Sequence, residues 1–206
     1  MKKIKSKIKY ILGIDEVGRG PIAGPVAVGA FVFLKSEAQI LFEGVKESKQ
    51  LTEERRQKWF TEIKKAQSEG LIDFYVSFQS EKVIDKKGIN FAISKCLKNS
   101  LNKLRLENSI NPTESLVLLD GGLEAPKEFI NQKTIIRGDE KEMVIALASI
   151  CAKSIRDRKM TQLAQIHSNY GFEKHKGYGT KSHYEAIKKH GLSTIHRRSF
   201  LPKSYN

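Results

Sequence analysis

Four carboxylates occupy places where an apolar segment meets a turn. Asp15 and Glu16 interrupt an apolar run that begins at Tyr10, Asp120 directly follows Leu116, Val117, Leu118 and Leu119, and Asp139 comes just after Ile135, Ile136, Arg137 and Gly138. Each acid thus falls at the end of a β-compatible segment, or just beyond one before a helix, where loops display side chains on a rigid support. Carboxylates gathered in one place repel and raise each other's pKa unless a cation joins them. Ligands made only of oxygen suit a hard ion, Mg²⁺ or Mn²⁺, rather than zinc. Two such ions about 4 Å apart can activate a water and stabilise the leaving oxygen of a phosphodiester. Taken singly, Asp120 before two glycines and Asp139 at a helix start also read as a turn residue and a cap. It is the recurrence of the pattern in one chain that favours a metal site.

Adjacent strand residues point to opposite faces, so Asp15 and Glu16 share a site only if the chain kinks, or if Glu16 contributes its main-chain carbonyl or an outer contact. Asp157, between Arg156 and Arg158, competes with Asp139. The two are separated by roughly 27 Å along a straight helix, so a continuous helix would let only one of them serve. Asp139, near the start of that helix, is the expected site residue, and Asp157 is expected to pair with cations.

The elements that must position these acids follow from apolar spacing and punctuation. Residues 10–15 and 26–34 read as strands joined by a Gly/Pro-rich turn over residues 18–25. Thr52 caps a helix running to about Ser68, with Gly70 as its stop. Residues 71–78, 115–120 and 133–137 read as further strands. Ile89, Ile93, Cys96, Leu97, Leu101 and Leu104 recur at helical spacing, as do Met143, Leu147, Ile150, Cys151 and Ile155 in a long helix expected from Asp139 to about Gln165. A last helix runs from Thr180 to His190, with Gly191 after it. The fold class is therefore α/β: a mixed sheet flanked by helices. Residues 1–206 are read as one domain, with a small basic helical appendage from about 160 to 206.

The formal net charge is +14, and it is concentrated at the two ends. Lys2, Lys3, Lys5, Lys7 and Lys9 crowd the start, and eight Lys/Arg face Glu173 and Glu185 from residue 171 onward. This points to a polyanion, most often nucleic acid, although such runs also serve as solvated faces. Cys96 and Cys151 belong to no metal-type pair and read as buried thiols of a reducing compartment. The apolar run that ends at Asp15 is too short for a signal peptide, and no stretch approaches the ~20 apolar residues of a membrane span. A cytoplasmic location, no membrane and a monomer are the expectations. His167, His175, His183, His190 and His196 show no zinc-type spacing and read as scattered surface histidines.

Residues 13–26, GIDEVGRGPIAGPV, closely resemble the opening signature of the ribonuclease HII family. Further matches follow in the family's order: SKQL at 48–51, LDG at 119–121, RGD at 137–139, ASICAKSIRD at 148–157, HKGYGT at 175–180 and HRRSF at 196–200. The resemblance implies a ribonuclease H-like fold and a two-metal site on Asp15, Glu16, Asp120 and Asp139. It implies action on RNA–DNA hybrids and on single ribonucleotides within duplex DNA, cutting on the 5′ side to leave a 3′-hydroxyl and a 5′-phosphate. Gly18, Arg19 and Gly20 would bring main-chain groups close to a 2′-hydroxyl, the group that separates RNA from DNA. Tyr178 matches a tyrosine that stacks at the RNA–DNA junction, and Ser48 and Lys49 would hold a phosphate. Glu47 stands where the family usually has Asp, and Leu147 where it usually has Ala; both changes bear on packing and leave the acids intact. Ribonuclease HIII usually carries an extra N-terminal domain and Glu at the last acidic position, so Asp139 and the short basic start fit ribonuclease HII better. Two other readings are a non-catalytic hybrid-binding module and a ribonuclease H-like DNA nuclease. Metal-dependent cleavage and resistance of all-DNA duplex separate them.

Overall fold

The computed structural model describes residues 8–45 and 51–205. Five strands form one mixed sheet in the order β3-β2-β1-β4-β5. The strands are β1 (Tyr10–Val17), β2 (Val26–Phe33), β3 (Ile72–Gln79), β4 (Ser115–Asp120) and β5 (Asn131–Ile135). The β1–β2 and β2–β3 pairs are antiparallel, whereas β4 lies parallel to both β1 and β5. All eight residues of β2 are buried, as expected of a strand covered on both faces.

Alternation along β1 divides the molecule into two layers. Leu12 and Ile14 face a core completed by Ile93, Cys96, Leu97, Leu101 and Leu104 of α3 (Ile89–Glu107). Gly13 and Asp15 turn the other way, toward α5 (Met143–Ile166) and α1 (Glu53–Ser68), which pack on Phe31, Phe33, Phe74 and Leu118. The approach of α5 is very close: a Cβ on Gly13 would overlap the main chain at Val144, and one on Gly29 would press on the Ala148 carbonyl. Only glycine permits a helix to lie this near a strand. That contact brings the start of α5 over the end of β1.

Local chemistry sets the helix ends. Thr52 accepts from the Arg55 amide at the start of α1, and Thr180 accepts from the His183 amide at the start of the last helix, Lys181–His190. A third apolar cluster gathers the C-terminal segment. Met160 and Ala164 of α5 meet Tyr170, Phe172, Ile187, Ile195 and Leu201, together with Ile22 and Ala23 from the turn after β1. Among the described residues no helix is long and apolar enough to cross a membrane.

The elements differ from the sequence expectations in several places. β1 continues to Val17, so Asp15 and Glu16 belong to the strand rather than ending it. β5 begins two residues earlier than expected and stops at Ile135, because Arg137 adopts a left-handed conformation (φ 57°) and Ile136 turns outward. A short helix, α2 (Glu81–Lys87), precedes α3 and is separated from it by Gly88 at φ 82°. The expected helix from Asp139 is two pieces: α4 (Gly138–Lys141), then an extended Glu142 (φ −120°, ψ 117°), then α5.

Candidate active site

In the parallel pairing of β1 with β4, Ile14 lies beside Leu119. The next step in the same register sets Asp15 beside Asp120. Both carboxylates then emerge on the α5 face from neighbouring strands, which in a sheet run about 4.8 Å apart. Gly138 donates its amide to Asp120 Oδ1 at 2.6 Å, which fixes the start of α4 and brings Asp139 alongside. Asp15, Glu16, Asp120 and Asp139 line one pocket of about 310 Å³, together with Gly18, Arg19, Gly20, Ser149, Lys153 and Tyr178. The site wraps around the end of β1: Asp15 comes from the α5 face, while Glu16 is half-buried and reaches Arg19 at 3.4 Å. Arg19 also donates to Asn90 of α3 at 2.9 Å.

Burial and the mutual repulsion of the carboxylates dominate the electrostatics of the site. Burial pushes the Asp15 carboxyl up to about 8; a hydrogen bond with Ser149 opposes the rise, while Glu16, Asp120 and Asp139 add to it. Glu16 is also raised, first by burial, with Arg19 pulling the other way. Among the described residues, no three His, Cys, Asp or Glu stand close enough to enclose an ion by themselves. The donor set nevertheless fits a hard divalent ion of the magnesium kind, which is held by one or two carboxylates with water and substrate oxygens completing its shell.

Other sequence expectations can be placed one by one. Asp157 is not part of this pocket; it is buried and forms an ion pair with Arg56 of α1 at 2.8 Å, not with either flanking arginine. Tyr178 is 48% exposed on the rim. Ser48, Lys49 and most of the N-terminal lysine cluster lie outside the described residues. Ser149 and Lys153 were not singled out as site residues; their signal was the one-turn spacing on the face of α5 that meets β1. Cys96 and Cys151 are buried free thiols.

The histidines correct the surface expectation. His183 and His196 are buried, with their Nε2 atoms 3.0 Å apart. His183 Nδ1 lies 2.8 Å from the Tyr178 carbonyl, and His196 Nδ1 accepts from the Ser193 amide at 2.9 Å. These partners fit neutral rings: His183 Nδ1–H donates to Tyr178, and His196 Nε2–H donates to His183 Nε2. Burial is the main cause that lowers both pKa values to about 4; His175 adds to the drop at His183 and His183 to that at His196, while the bonds to Tyr178 and Ser193 oppose it.

Comparison with known proteins identifies the family. The chain matches the family model described as Ribonuclease HII over residues 12–203. It is 42% identical over 198 residues to a ribonuclease HII of Caldicellulosiruptor saccharolyticus, covering 96% of this chain and 90% of that protein. It is 43% identical over 196 residues to one of Fusobacterium nucleatum, covering 95% and 87%. Among solved structures, ribonuclease H2 of Pyrococcus horikoshii superposes with a TM-score of 0.64 at 26% identity, covering 93% of each chain. A ribonuclease HII of Archaeoglobus fulgidus, solved in complex with PCNA, superposes at 0.71 with 23% identity, covering 95% of this chain and 97% of that one, and speaks to the fold alone. The chain belongs to the ribonuclease HII family of metal-dependent endoribonucleases.

Proposed function

We propose that this chain hydrolyses the RNA strand of RNA–DNA hybrids and nicks duplex DNA on the 5′ side of an embedded ribonucleotide, leaving 3′-hydroxyl and 5′-phosphate ends. The observation that carries this reading is the convergence of Asp15, Glu16, Asp120 and Asp139 on one pocket, with Asp15 buried and its carboxyl raised to about 8. A buried carboxylate in such company favours a cation. Asp15, Asp120 and Asp139 would hold Mg²⁺ or Mn²⁺, two ions when substrate is present, with Glu16 contributing by side chain or main-chain carbonyl. Bound there, the ions would lower the pKa of an attacking water and stabilise the leaving oxygen.

The chain's own groups do the rest. Ser149 orients Asp15 through their hydrogen bond. Lys153 offers a positive charge at the pocket wall for a phosphate. Arg19 is tethered to Glu16 and Asn90, which steadies the turn whose main chain would approach the ribose. Tyr178 presents a half-exposed ring beside Gly20 on which a base or sugar can stack. In this reading residues 1–206 form one catalytic domain, and the basic segment from about residue 160 is an appendage that carries Tyr178. Ser48 and Lys49 would contact a phosphate.

The test is cleavage of a labelled DNA duplex holding one ribonucleotide, of a longer RNA–DNA hybrid and of an all-DNA duplex, with Mg²⁺, Mn²⁺ or chelator. A metal-dependent nick 5′ to the ribonucleotide, with all-DNA duplex intact, is the expected result. Cleavage of the long hybrid alone would remove the single-ribonucleotide activity. Cleavage of all-DNA duplex would favour a DNA nuclease, and binding without any cleavage would leave a hybrid-binding module.

A further inference from the structure

Arg197 is fully buried, yet among the described residues it has no ion pair. Its guanidinium is spent on main-chain carbonyls. Nη2 donates to Gly18 at 2.7 Å, Nη1 to Arg19 at 3.1 Å and Nε to Gly24 at 2.9 Å. Its own amide donates to the Ile22 carbonyl at 2.8 Å, and the Phe200 ring covers the guanidinium at 5.2 Å. A buried guanidinium is an expensive way to brace a turn, and here its fan of donors matches three carbonyls of a single loop.

Which groups of that loop remain available follows from peptide planarity. None of the described peptide bonds is cis. In a trans peptide the N–H points opposite to the preceding C=O. With the Gly18 and Arg19 carbonyls turned onto Arg197, the amides of Arg19 and Gly20 point away from it. Both residues line the acidic pocket, and neither amide donates a hydrogen bond to a described residue. Arg156 presses on the same turn from beneath: a Cβ on Gly18 would overlap its guanidinium, and its Nε donates to the Pro25 carbonyl at 3.0 Å.

We propose that Arg197 is a positioning residue for substrate choice: by holding the Gly18 and Arg19 carbonyls inward it aims the Arg19 and Gly20 amides at the 2′-oxygen of a ribonucleotide. This rests on the proposed reading of that turn as the ribose contact. Arg197 itself touches no substrate. Lysine at this position would keep the charge but could not span three carbonyls, so the turn would relax and the preference for a ribonucleotide would fall.

The experiment compares wild type with Arg197→Lys, measuring kcat and KM on duplex DNA holding one ribonucleotide, the rate on the same duplex holding only deoxyribonucleotides, and affinity for that all-DNA duplex. The expected result is a loss of about 10- to 100-fold in kcat for the ribonucleotide substrate, a shrunken preference, and all-DNA affinity within about twofold of wild type. An unchanged preference overturns the proposal, and so does a parallel fall in kcat and all-DNA affinity, which a merely structural role would give. The wild-type arm tests the underlying reading separately: a wild-type enzyme that does not distinguish ribose from deoxyribose sinks that reading and this proposal with it. Should Arg197→Lys not fold, Phe200→Leu keeps the arginine and removes the ring over it. A severalfold loss of preference there supports the role, and full preference overturns it.

Discussion

The turn over residues 18–25 lies between two clusters of buried ionisable groups that settle their charge in opposite ways. On one side Asp15, Glu16, Asp120 and Asp139 share a pocket where Arg19 reaches Glu16, and burial lifts Asp15 to about 8. On the other side Arg156, Arg197, His183 and His196 are buried among carbonyls and neutral rings, with Arg197 lowered to about 9 by burial and by Arg156. The basic cluster satisfies its hydrogen bonds from within the chain and needs no ligand. In the proposed reading, the acidic cluster takes a bound cation as its partner instead. Burial of charge therefore marks a scaffold where partners are internal and a reaction site where they are not.

The comparison breaks most visibly at the acids. Asp15→Asn or Asp120→Asn should remove several kcal/mol of transition-state stabilisation, about 10³-fold or more in kcat, with the melting temperature held or raised. Steady-state cleavage and a thermal melt on the same samples check both halves. The support beneath the acids comes next. Gly13→Ala puts a methyl group into the Val144 main chain and should cost about 3 kcal/mol, or roughly 6–12 °C in Tm; an unchanged melt would mean that α5 does not bear on β1 as described.

The basic cluster should show itself as acid sensitivity. His183 and His196 have folded pKa values lowered to about 4 from an ordinary 6.5. Their contribution is present above pH 6.5 and is lost as pH falls through 4, since the unfolded chain takes up protons first. His196→Gln should therefore flatten the stability loss between pH 7 and 4.5 by on the order of 2 kcal/mol, about 4–8 °C, as read by melts across that range. The smallest effect belongs to the rim. Tyr178→Ala should weaken substrate binding by about 1 kcal/mol and leave stability alone, a change in KM or Kd that separates a stacking ring from a structural one.

The sequence carried the acids legibly because each breaks an apolar run, a local signal. Ser149 and Lys153 were hidden because their function depends on α5 crossing β1, and that crossing is licensed by Gly13 and Gly29 far away in the chain. The break at Glu142 escaped because residues 138–142 hold no apolar side chain whose spacing could mark it; the extended Glu142 ends α4, while the Asp120 carboxylate fastened to the Gly138 amide fixes where α4 starts. Basic composition was the most misleading signal. His183 and His196 read as surface histidines and Arg197 as one cation of a basic run, yet Arg197 serves carbonyls as much as 179 residues away. The architecture needed only alternation and punctuation, whereas the internal basic scaffold required the fold itself.

Catalysis in the acidic pocket requires a bound cation in the proposed reading. Calorimetric titration of Mn²⁺ into the wild type near pH 7, in two buffers of different ionisation enthalpy, measures both binding and protons released. With Asp15 near 8 in the metal-free protein, binding should release about one proton, tighten as pH rises toward 8 and level off above it. Asp15→Asn should lose most of the affinity and the proton release together. Mn²⁺ binding that ignores pH, or that survives unchanged in Asp15→Asn, would contradict it.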